Sequence, residues 1–127
     1  MKLNENHFKK YSLETRQNLC KSLLIRNTNK VPCVVSFERK DAIKYKLPSI
    51  EKRILVDADF SIGQLHVVLR RKIGLDSVDA MFLFVNNTLL PCSSVMRDIY
   101  AKYKSKCGFL FIDIRFMETF GSKDILS

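Results

Sequence analysis

The side chains able to do chemistry in this chain are few and lie far apart. Four cysteines stand at positions 20, 33, 92 and 107, with no CxxC pair and no histidine at the spacing a structural zinc site requires. His7 and His66 have no serine or cysteine and carboxylate that the sequence alone assembles into a nucleophile, base and orienter, so each reads as a surface residue. No metal site, no cofactor and no catalytic residue is therefore expected, and the chain does not read as an enzyme. The cysteines read as reduced packing thiols, in keeping with the lack of a secretion signal. Cys107, taken as exposed and next to Lys106, is the candidate for a reactive thiol.

Charge is the other chemical resource. The 127 residues carry 22 Lys+Arg against 13 Asp+Glu, a net charge of +9 at pH 7. Such an excess raises attraction to acidic peptides, anionic lipid and nucleic acid alike and does not choose among them. The lysines are spread through the chain and no RNP-like motif appears, so no specific nucleic-acid partner is expected.

The elements that position these residues follow from hydrophobic spacing. Between Asp59 and Leu75, Ile62, Leu65, Leu69 and Ile73 recur at intervals of three and four, which predicts a helix with one apolar face. Ser61 and Gln64 have the spacing of a capping box at its start, and Gly74 suits its C-terminal end. Earlier in the chain, a short helix is expected around Glu5 to Tyr11, then a second one capped by Ser12 with Leu13, Cys20 and Leu24 near one face. Val31 to Phe37 reads as a strand with Pro32 at its beginning, where a missing N–H is tolerated. Lys40 to Ile50 reads as a loop with room for a short strand or helical turn, and Ile54 to Val56 as a second strand. Ala80 to Val85, the Asn86-Asn87 turn and Thr88 to Leu90 make a hairpin. Ser93 or Ser94 is the expected cap of a later helix containing Met96, Ile99 and Tyr103. The last strand, Phe109 to Phe116, is apolar on both faces at its start, so a helix must cover Phe109 and Phe111 or a ligand must.

One core is what this length supports. No apolar run approaches the roughly 20 residues needed to cross a bilayer, and MKLNENHFKKY lacks the apolar stretch of a signal peptide, so a soluble, cytosolic chain is expected. The order of elements implies an α+β fold of the β-grasp kind, with two additional helices before it.

The sequence resembles the Atg8 family of ubiquitin-like autophagy modifiers, which includes the GABARAP and LC3 branches. The resemblance runs from about Leu13 to Gly121 and is carried by Lys30-Val31-Pro32, Leu55-Val56, Ile62-Gly63-Gln64-Leu65, Leu69-Arg70-Arg71-Lys72-Ile73, Phe82-Leu83-Phe84-Val85-Asn86-Asn87 and Phe120-Gly121. It implies a ubiquitin-like core at 27–121, an N-terminal helical subdomain at 1–26 and a removable extension at 122–127. It further implies cleavage after Gly121 by an Atg4-like cysteine protease, passage through E1-like and E2-like enzymes, and amide linkage to phosphatidylethanolamine. The chain would then be cytoplasmic before processing and lie on an autophagosomal or related organelle membrane afterwards.

The resemblance also implies recognition of receptors through short aromatic-x-x-aliphatic motifs, with the peptide added to an open sheet edge. The matching positions are Leu23, Pro32, Leu55 and Phe109 for the aromatic pocket and Val56, Phe60, Leu65 and Val68 for the aliphatic one. Lys52, Arg53 and Arg70 would form a basic rim for acidic residues beside the motif. Leu19, Ile54, Asp57 and Gly108 depart from the family pattern, which bears on pocket shape. A non-lipidated peptide-binding module is the alternative reading. Lys102, Lys104 and Lys106 make the late helix unusually basic, which would favour an anionic membrane.

Overall fold

The computed structural model describes residues 7–74 and 79–118. Within them the chain forms a five-stranded mixed sheet with helices on both faces. The opening helical stretch is a single 3-10 turn, Phe8–Lys10, shorter than the helix expected there; part of that expectation lies outside the described residues. Helix α1, Leu13–Arg26, follows, with the Ser12 hydroxyl accepting from the Thr15 N–H at its start. Then come β1 (Lys30–Phe37), α2 (Arg39–Lys44), β2 (Glu51–Asp57), α3 (Ile62–Ile73), β3 (Asp79–Val85), β4 (Thr88–Leu89), α4 (Met96–Tyr103) and β5 (Leu110–Glu118).

The strand order is β2-β1-β5-β3-β4, so β2 is an open edge of the sheet. Strands β1 and β5 run parallel through the centre, from Cys33 opposite Leu110 to Phe37 opposite Ile114. Pleating sends alternate side chains to opposite faces. Val31, Cys33 and Val35 therefore join Leu110, Ile112 and Ile114 in the main core, which α3 closes with Ile62, Leu65 and Leu69. Val34 and Phe109 point the other way into a smaller core with Phe8 and Cys20. The second apolar face of β5 is thus covered largely from within: the Phe8 and Phe109 rings meet edge to face at 4.8 Å between centroids.

Local signals in α3 hold in full. The Gln64 N–H donates to the Ser61 hydroxyl at 3.1 Å, and the Gln64 side-chain oxygen accepts from the Ser61 N–H at 2.8 Å. Gly74 ends the helix at φ +70°. Two other expectations are narrowed or changed. Of the short strand or helical turn allowed between Lys40 and Ile50, the structure has the helix: α2 begins one residue earlier, at Arg39, and is anchored by the fully buried Ala42. Neither Ser93 nor Ser94 caps α4; Val95 occupies that position with no side-chain bond, because its backbone bridges to Ser61 and the Ser94 carbonyl accepts from the Ile62 N–H.

Candidate functional site

The edge strand β2 separates two hollows. Its register opposite β1 places Val56 against Val31 and Ile54 against Cys33, so these two side chains face α3, while Arg53 and Leu55 face α1. On the α3 side lies a cavity of about 260 Å³ whose floor and walls include Val56, Phe60, Leu65 and Val68. All four residues assigned to an aliphatic pocket are thus brought together, joined at the other end of β2 by Phe37, Leu47 and Pro48. The cavity is rimmed by Lys30, Lys52 and Lys72, and Lys30 Nζ stands 3.5 Å from the Asp57 carboxylate.

On the α1 side is a more open depression lined by Leu19, Leu23, Arg53, Ile54, Leu55 and Phe109. Three of the four residues assigned to an aromatic pocket meet there. Pro32 does not: it is fully buried and lines neither hollow. It sits one strand in from the edge, opposite Leu55, and precedes Cys33, where pairing with β5 begins. Its missing N–H therefore costs no ladder bond on the β5 side.

Leu55, 38% exposed, forms the ridge between the hollows and contributes to both. Arg53 holds its guanidinium 5.3 Å from the Phe8 ring centre, at the lip of the α1-side depression. Lys52 lies on the rim of the α3-side cavity, whereas Arg70 stands on α3 outside both linings. Sequence reasoning did not assign Lys30, Lys72, Phe37, Leu47 or Pro48 to the site. The 47–49 segment brings Leu47 and Pro48 to the cavity, while β1 places Lys30 and Phe37 and α3 places Lys72. Leu19 and Ile54, singled out as departures, are lining residues.

His66 and Cys107 both differ from the exposure expected of them. His66 is half-buried rather than on the surface, and its Nε2 lies 2.7 Å from the Met81 carbonyl; since that oxygen accepts, Nε2 carries the proton and the ring straps α3 to β3. Cys107 is 2% exposed, not exposed as expected, with its sulfur 3.1 Å from the Ser105 hydroxyl. Burial pushes the Cys33 thiol up to about 12 and raises Cys20 as well, disfavouring the thiolate in both. Cys92 is the exposed thiol. A brief maleimide treatment of the native protein is therefore expected to add one label, at Cys92, and four after denaturation. Rapid labelling of Cys107, read by peptide mass, would contradict this packing.

A mixed sheet closed on one face by a central helix is the architecture of ubiquitin-like proteins, and here α1 and Phe8 add a layer on the other face. The family described as "Autophagy protein Atg8 ubiquitin like" matches residues 15–121. The sequence is 36% identical over 115 residues to Autophagy-related protein 8 of Eremothecium gossypii, covering 90% of this chain and 92% of that one. It is 37% identical to Autophagy-related protein 8A of Oryza sativa, covering 88% and 92%. The crystal structure of Trypanosoma brucei ATG8 superposes with a TM-score of 0.74 at 28% identity, over 93% of this chain and 99% of that one. The chain belongs to the Atg8 family of ubiquitin-like autophagy proteins.

Proposed function

We propose that the chain is a ubiquitin-like modifier, conjugated through Gly121 to phosphatidylethanolamine, that recruits receptors through aromatic-x-x-aliphatic motifs laid along β2. The observation that carries the receptor reading is the position of the two hollows on opposite faces of one open strand. A peptide added to that edge continues the pleat, so the side chains filling the two hollows must be an odd number of residues apart. A spacing of three meets that requirement; a spacing of two does not. Family membership supports the conjugation reading, for which Gly121 lies outside the described residues. An Atg4-like protease and E1-like and E2-like enzymes are the partners this function needs.

The test is a binding titration with a peptide bearing three aspartates, then a tryptophan and a leucine three residues apart. Shortening the spacing to two is expected to weaken binding at least 10-fold. Leu55→Asp is expected to cost about 30-fold or more, the scale of a central anchor lost from both hollows. Because Leu55 lies at the surface, the melting temperature of that variant should move by only a few degrees. Equal affinity for the two peptides would overturn the groove assignment.

A further inference from the structure

Where the conjugated lipid leaves the fold decides which surface meets the membrane. Strands β1 and β5 are parallel and in register to Phe37 and Ile114, so their C-terminal ends lie at the same end of the sheet. Helix α2 follows β1 after a single residue, and Tyr45, just past it, packs on Phe116 of β5 at 4.6 Å between ring centres. Gly121 is three residues beyond the end of β5 at Glu118, within about 11 Å at full extension.

The surface at that end has the character of a bilayer contact. Arg39, Lys40, Lys44 and Lys46 are all exposed. Among the described residues, acidic groups beside them include Glu38, 3.6 Å from Lys40, and Asp41, which is buried. Between the cations stand two exposed apolar side chains, Ile43 at 58% and Met117 at 64%. A hollow lined by Lys40, Asp41, Lys44, Tyr45, Phe116 and Met117 joins α2 to the end of β5. The basic cluster expected to favour a membrane from the sequence, Lys102, Lys104 and Lys106, precedes β5 and so lies at the opposite end of a nine-residue strand, roughly 27 Å away.

We propose that α2 and the end of β5 form a membrane-contact face, with Arg39, Lys40, Lys44 and Lys46 meeting anionic phospholipid headgroups and Ile43 and Met117 entering the interface. This inference rests on conjugation at Gly121 for its biological use: the tether holds this face, not the Lys102–106 end, against the bilayer. Basic residues near an anionic surface and apolar ones within the headgroup layer act together in this way. The groove along β2 would then stand beside the membrane with its long axis rising from it.

The test is sedimentation of the 127-residue chain with vesicles of phosphatidylcholine alone or with 30% phosphatidylserine, at low ionic strength. Binding is expected only to the anionic vesicles and should fall with added salt. Lys40→Gln/Lys44→Gln/Lys46→Gln is expected to weaken it about 100-fold, at roughly fivefold per cation. Lys102→Gln/Lys104→Gln/Lys106→Gln should change it no more than about twofold. Ile43→Ser, a single exposed substitution that leaves charge unchanged, should cost about fivefold. An equal or larger loss in the Lys102 series, or binding unaffected by Ile43→Ser and the Lys40 series, overturns the assignment. No arm requires conjugation, so failure of this face and failure of Gly121 to receive lipid are separately visible.

Discussion

A Gly121→Ala chain is expected to stay in the soluble fraction, with its membrane-bound form absent, in cells whose conjugating enzymes are active. Glycine suits the position because a terminal carboxylate without a side chain threads a narrow enzyme channel and meets a nucleophile at little steric cost. The two acyl chains that conjugation would add supply anchoring that a handful of surface cations does not. The measurement is intact mass and C-terminal peptide mass of soluble and membrane fractions for both chains. A wild-type membrane form that ends at Gly121 and carries an aminophospholipid, missing from the variant, is the expected result. If the wild-type protein remains uncut and unlipidated beside active machinery, the conjugation reading fails and a free peptide-binding module replaces it.

The largest loss of stability is expected at Gly108. This residue has φ +91°, a conformation that side chains other than glycine's rarely adopt. A Cβ there would stand 2.5 Å from the Cys20 sulfur and 3.3 Å from its Cβ, and Cys20 is 3% exposed. The backbone has little freedom to move away: the Gly108 carbonyl accepts from the Tyr100 hydroxyl at 2.6 Å, and its N–H donates to the Ser105 carbonyl at 2.9 Å. Strained φ and a buried overlap each cost on the order of 1–3 kcal/mol. Gly108→Ala is thus expected to lose about 2–4 kcal/mol, or roughly 8–16 °C in melting temperature for a domain of this size. Adding Cys20→Ala should restore part of the loss by removing the sulfur while leaving the φ strain. An unchanged melting temperature in the single variant would rule out this account. The same geometry bars any larger side chain from this position.

Much of the fold is written in local chemistry. Ser61, Gln64 and Gly74 delimit α3 through bonds made within a turn of the chain, so their spacing is enough to reveal them. Asn86 and Asn87, at φ 50° and 60°, build their turn the same way. The double-faced apolar pattern of β5 announced a second covering layer, and α1 and Phe8 supply it. Helix α2 stands in the sequence only as one of two options, a short strand or a helical turn, because six residues are too few to display a helical period; buried Ala42, not periodicity, holds it.

The candidate site divides along the same line. Val56, Phe60, Leu65 and Val68 belong to a strand, a helix and the short link between them, whose apolar residues are visible in order along the chain, and the four line one cavity. Pro32 and Leu55 were equally plausible in isolation, yet one is buried and the other is the ridge between two hollows. Their difference arises because β1 is paired on both sides and β2 on only one, a property of strand order. Cys107 differs for a similar reason, since Lys106 beside it is exposed while its own side chain joins a core with Phe8 and Cys20 from far along the chain. Residue types and spacing along the chain determined where helices and strands begin, end and turn their apolar sides. Which strand stays open, and which side chains from distant segments meet beside it, was decided by the sheet, because burial and edge pairing depend on contacts between residues dozens of positions apart.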